Sequence, residues 1–142
     1  MANIIPFAFR GELLSGTHNF ANGGNSFKIA LYTSFAAYST SSTNYLTTNE
    51  VSASNTGYAT GGKVLASQAV VSTGAVATVD FADSTLTSAT FTANSAAIYN
   101  DTNADKLCVV LDFGGNKTAT NGTFTISFPN PSTPANAIIS MA

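Results

Sequence analysis

His18 and Cys108 are the chain's single histidine and single cysteine, so imidazole or thiolate chemistry has only these two residues to draw on. A thiol nucleophile needs a base beside it, and Cys108 with His18 is the one pairing available. The context argues against it. No Gly-x-Ser-x-Gly elbow or strand-to-helix turn is present, and Cys108 sits among Leu107, Val109 and Val110, the surroundings of a small buried hydrophobe. His18 reads as a residue at a helix end or turn whose ring makes a local hydrogen bond. Glu12, six residues earlier, is not expected on the same helical face. Asp101, Asn103 and Asp105 have the 1,3,5 spacing of a calcium loop, but Lys106 stands where that loop needs glycine, and its twelfth position, Asp112, falls in an expected strand. Asp and Asn at this spacing make a good hairpin turn. Asp80 and Asp83 also read as turn formers. These residues predict no enzyme, no cofactor and no metal site.

The composition points elsewhere. Of 142 residues only 8% are charged, against 44% hydrophobic, and the net charge is -2. An ordinary soluble domain is roughly a quarter charged. A surface covered by Ser, Thr, Asn, Gly and Ala loses few ionised groups from water when it meets another protein, and lacks the repulsion that keeps copies apart. Such a profile suits a part of an assembly, present in repeated copies or as a homo-oligomer. Arg10, Lys28, Lys63, Lys106 and Lys117 are scattered, so direct nucleic-acid binding is not expected. No window reaches the roughly 18 apolar residues of a membrane span, and no stretch reads as a signal peptide. The Asn-x-Thr matches at Asn100, Asn116 and Asn121 are the chance yield of a Thr-rich chain.

The elements that must carry these residues divide into two regions. Residues 1–24 read as an N-terminal arm with one short helix near residues 8–18, since Phe9, Leu13, Leu14 and Phe20 recur at loosely helical spacing. Residues 25–142 read as one domain of period two. Strands are expected over 27–32, 63–71, 76–81, 85–92, 96–100, 107–113, 123–128 and 137–141, with a further one possible over 46–51. Gly114 and Gly115 are expected to close the strand before them. Pro129, Pro131 and Pro134 mark an extended C-terminal segment. The predicted class is all-β: an antiparallel β-sandwich, jelly-roll-like, with a short N-terminal helix or arm.

Residues 34–62 form a long polar excursion from this pattern, rich in Ser, Thr, Asn and Tyr. Excursions of this length in compact domains usually bind something or hide short strands. Aromatics in such a setting make adaptable, weakly charged contact surfaces. The predicted protein-interface residues are therefore Phe7, Phe9, Leu13, Phe35, Tyr38, Tyr45 and Tyr58, in the segments taken as freest to meet a neighbour. The bland alternative is that the tyrosines simply cover an edge of the sandwich.

Several blocks, in this order, resemble a family of small structural proteins of tailed bacteriophages. They are Phe27-Lys-Ile-Ala-Leu-Tyr-Thr33, Thr48-Asn-Glu-Val51 followed by Gly57-Tyr58 and Gly61-Gly62, Ile98-Tyr-Asn100, and Val110-Leu-Asp-Phe-Gly114 followed by Gly122-Thr-Phe-Thr-Ile-Ser-Phe128. The resemblance implies a virion protein assembled in the host cytoplasm, similar to capsid cement or decoration proteins that bind the major capsid protein and stabilise the head. A neck, tail or fibre-associated virion protein, one that touches host carbohydrate, is the alternative. The matching blocks are fold signatures, and none is an active-site signature.

Overall fold

Pro6 sets the extended turn into helix α1 (Phe7–Leu14), which ends where Ser15 and Gly16 donate to the carbonyls of Gly11 and Leu13 and Gly16 takes a φ of 76°. The computed structural model describes residues 3–142. After α1 the chain forms strands β1 (Phe27–Tyr32), β2 (Lys63–Val64), β3 (Ala69–Thr73), β4 (Val76–Asp80), β5 (Ser84–Asn100), β6 (Lys106–Ile126) and β7 (Ile139–Met141), with one 3₁₀ turn at Pro134–Asn136. They build two antiparallel sheets, ordered β2-β1-β5-β6 and β3-β4-β7. This is the all-β sandwich with a short N-terminal helix that the period-two pattern implies. Its four-and-three arrangement has one strand fewer than the eight of a jelly roll.

Several boundaries differ from the sequence reading. The expected strand over 63–71 is broken into β2 and β3 at a bend where Ser67 has a φ of 55°. The strands expected over 85–92 and 96–100 are one, β5, and those over 107–113 and 123–128 are likewise joined in β6. Gly114 and Gly115 do not close the strand. With φ of 71° and 139° they bend it. An extended strand would hold Phe113 and Phe124 about 36 Å apart, yet their ring centroids are 6.3 Å apart. The paired β5 and β6 thus fold over themselves, with register shifts between Ala93 and Ser95 and between Leu86 and Phe91. The expected strand over 46–51 reduces to a single bridge, Tyr32 to Glu50.

β1 shows how the core is divided. Its Phe27, Ile29 and Leu31 face the main core with Phe9, Phe20, Phe81, Phe91, Ile98 and Phe124. Its Ala30 and Tyr32 face a second, smaller core with Phe35, Tyr38, Ala97, Tyr99, Leu107 and Val110. The second sheet covers one side of β1 and β5, and the 34–62 excursion covers the other. Gly62 makes that cover possible, because a Cβ at its φ of 79° would run into the Ile29 carbonyl.

The N-terminal residues are not a detachable arm. Phe9 is 1% exposed, Phe20 stacks on Phe27 with centroids 4.3 Å apart, and Ile4 exchanges backbone hydrogen bonds of 2.8 and 2.9 Å with Val110. The described part of residues 1–24 belongs to the core of the sandwich.

Candidate functional site

The residues with chemical potential gather at two internal clusters. In the first, Gly16 turns the chain back after α1, which brings His18 Nε2 to 2.9 Å from Glu12 Oε2. The expectation that Glu12 could not meet His18 assumed one continuing helix, and the helix stops at Leu14. Lys106 Nζ reaches the other oxygen, Glu12 Oε1, at 2.7 Å. Asn100 Oδ1 accepts the backbone N–H groups of Thr102 and Asn103, each at 3.1 Å, so its amide nitrogen is the end that points to His18 Nδ1 at 3.0 Å. Nδ1 is therefore an acceptor, and the ring proton sits on Nε2, donated to Glu12. Cys108 Sγ lies 3.7 Å from the same Nδ1.

Cysteine, histidine and carboxylate in this order resemble the arrangement of a thiol hydrolase. The environment defeats that use. Cys108 has no exposed surface, and burial, with Glu12 nearby, pushes its thiol well above the ordinary range, so the thiolate does not form. Burial also pushes the Glu12 carboxyl up, but the hydrogen bonds from Lys106 and His18 outweigh it and the net shift is down. The cluster holds a charged carboxylate between two donors and ties α1 to the β5–β6 turn.

That turn matches the hairpin expected from Asp101, Asn103 and Asp105. Asp101 pairs with Lys28 at 2.9 Å and Asn103 donates to the Thr17 carbonyl. Among the described residues no three His, Cys, Asp or Glu side chains gather as they would to hold a metal ion. No described helix is long and apolar enough to cross a membrane.

The second cluster contains all five tyrosines. Tyr45 and Tyr58 each donate a 2.6 Å hydrogen bond to one oxygen of Glu50, and the Gly61 N–H adds a third at 2.8 Å. Tyr58 in turn accepts the Leu31 N–H at 3.0 Å. A closed ring runs from the Leu46 N–H to the Tyr38 hydroxyl, from Tyr38 to the Tyr32 hydroxyl at 2.8 Å, and from Tyr32 back to the Leu46 carbonyl at 2.8 Å. Tyr99 donates to the Gly61 carbonyl and stacks on Tyr45, centroids 4.6 Å apart. Burial raises every one of these phenols above the ordinary tyrosine value, with the Glu50 charge adding to the effect at Tyr45 and Tyr58.

The predicted interface residues separate accordingly. Phe9, Phe35, Tyr38 and Tyr58 are buried within the chain's own cores, and this corrects their assignment as freely available contacts. Tyr45 is half-buried and committed to Glu50 and Tyr99. Leu13 is half-buried beside the main core, and Phe7 alone among the seven is strongly exposed, with Arg10 over its ring.

The free apolar surface lies elsewhere. Leu14, Val70 and Met141 are 85%, 52% and 53% exposed. They meet at two adjoining clefts of about 320 and 250 Å³ that share Leu13, Ile139 and Met141, one running along α1 and β7 and the other reaching Val70 and Ala77 on β3 and β4. The sequence reading missed Val70 and Met141. Their strands alternate like any half-buried pair, and only the overhang of the three-stranded sheet beyond the core leaves that end uncovered. Comparison with known protein families, with curated proteins and with solved structures finds no match for this chain.

Proposed function

We propose that the protein is a structural component of a tailed-bacteriophage virion, a capsid cement or decoration protein that binds the major capsid protein through the face formed by α1, β3 and β7. The observation that carries this reading is the convergence of Leu14, Val70 and Met141 on one pair of clefts in a molecule whose charged and tyrosine clusters are satisfied internally. A contiguous apolar surface on a small domain is the mark of a contact site. Only Arg10 brings a charge to either cleft, so closing the face against a neighbour removes little ionic hydration. The resemblance of the β1, Ile98–Asn100 and β6 blocks to small phage structural proteins supplies the kind of assembly.

Occupancy on purified heads that lack the protein tests the reading. Wild-type protein should saturate the head surface in many copies, and Leu14→Asp or Met141→Asp should lower affinity at least tenfold while leaving thermal unfolding unchanged. Few copies, placed at the portal axis or tail in cryo-electron micrographs, would make it a neck or tail component instead. Failure to bind any virion part, or full binding by both variants, would overturn the proposal.

A further inference from the structure

A second cleft, about 460 Å³ in volume, lies in the bend of β6, away from the α1–β7 face. Leu111 and Phe113 line it from before the bend, Phe124, Ile126 and Phe128 from after it, and Ile138 from the C-terminal segment. Both β6 rows are spaced two residues apart, which is the spacing of side chains on one face of an extended chain. The volume falls within the roughly 300–1,000 Å³ of ordinary binding clefts.

β6 is also the edge of its sheet. Its outer side already accepts strand-like additions from this chain. Ile4 bridges Val110 through two backbone hydrogen bonds, the Leu107 N–H reaches the Thr43 carbonyl at 2.9 Å, and Asn3 Oδ1 takes the Asp112 N–H at 2.8 Å. Beyond Asp112 no described segment continues the pairing, and the cleft opens at that place, with Asn3 and Asp112 among its lining residues. The covered and uncovered stretches form one continuous edge.

We propose that this cleft takes an extended peptide from a partner protein, which adds to the outer edge of β6 where Ile4 leaves off. Backbone pairing would hold the peptide, and its alternate side chains would enter between the two apolar rows. Asp112 and Lys117 bring one charge of each sign to the cleft, so the fitting peptide is apolar at every second position and carries little net charge. The site is separate from the α1–β7 face and does not depend on the reading given to that face.

The test uses isotope-labelled full-length protein and an octapeptide that alternates valine with serine. Amide shifts should concentrate between residues 114 and 126. The same peptide methylated on alternate backbone nitrogens should bind at least tenfold more weakly, because it keeps the side chains and loses the edge hydrogen bonds. Ile138→Asp should also weaken binding about tenfold, Phe113→Leu should weaken it less while keeping the fold, and Leu14→Asp should leave it unchanged. Equal binding of the methylated peptide would make the cleft a site for apolar small molecules and overturn the strand proposal. Shifts on the α1–β7 face, or no binding up to about 1 mM, would overturn it as well.

Discussion

The 34–62 excursion and the α1–β7 side of the molecule invert the usual link between regularity and self-sufficiency. The excursion contains no strand longer than a single bridge, yet its aromatic side chains are buried and its tyrosine hydroxyls are paired. The α1–β7 side is made of regular helix and strand, yet leaves Phe7, Leu14, Val70 and Met141 open to water. Irregular backbone can be fully committed when amphipathic side chains cover an apolar face while their polar tips find partners. Regular elements remain uncommitted when the sheet they belong to extends past the core beneath it.

Alkaline titration tests that comparison most severely. Burial raises all five phenols, so the fold favours their neutral form. That stability is fully present below the ordinary tyrosine value of about 10 and is lost as pH rises through the raised values. Tyrosinate absorbance and the far-ultraviolet dichroism should change together, in one cooperative step above about pH 10. A gradual tyrosine titration with the dichroism intact would show that the excursion is loose.

On the opposite side, Phe9→Ala should cost about 3–5 kcal/mol in urea unfolding, the usual penalty for emptying a fully buried aromatic site. Removing residues 1–19 should abolish the cooperative transition. A folded, stable truncation would restore the detachable arm that the burial of Phe9 and Phe20 contradicts.

Glu50→Ala strips partners from Tyr45, Tyr58 and the Gly61 N–H. A loss of about 2–3 kcal/mol is expected, given that hydrogen bonds to charged groups are worth roughly 1.5–3 kcal/mol each and that water replaces part of them at this partly open carboxylate. Hydrogen exchange should accelerate across 34–62 before it does in β5 and β6. Uniform acceleration would mean that the excursion and the sandwich open as one unit.

Acid should act on the α1 side. The Glu12 carboxyl lies below its ordinary value, so its contribution is present above about pH 4.3 and is lost as pH falls through the lowered folded value. The stability difference between wild type and Glu12→Gln should therefore shrink below about pH 4. A constant difference would assign the effect to packing alone. The smallest change belongs to Leu14→Ser, within about 0.5 kcal/mol of wild type, as for other exposed positions.

Local pattern determined a good part of this molecule. The alternation in Phe27–Tyr32 and at both ends of β6 specifies strands because side chains on an extended backbone alternate between faces. The shift from helical to two-residue spacing near residue 25 separates α1 from the sandwich. The Asn and Asp run at 100–105 specifies a hairpin turn, since those side chains satisfy their own backbone. The scarcity of charge announces a surface suited to contact.

Tertiary structure alone decided which surfaces that contact can use. A tyrosine suits a buried hydrogen-bonded network and an exposed interface equally well, so Tyr38 and Tyr58 carry no local mark of the side they take. Glu12 and His18 meet because the chain reverses at Gly16, and Phe113 meets Phe124 because β6 bends at Gly114 and Gly115. Spacing along the chain encodes backbone conformation. Burial depends on which distant segment arrives to cover a face, and that is settled only when the sheets, the excursion and the helix close on one another.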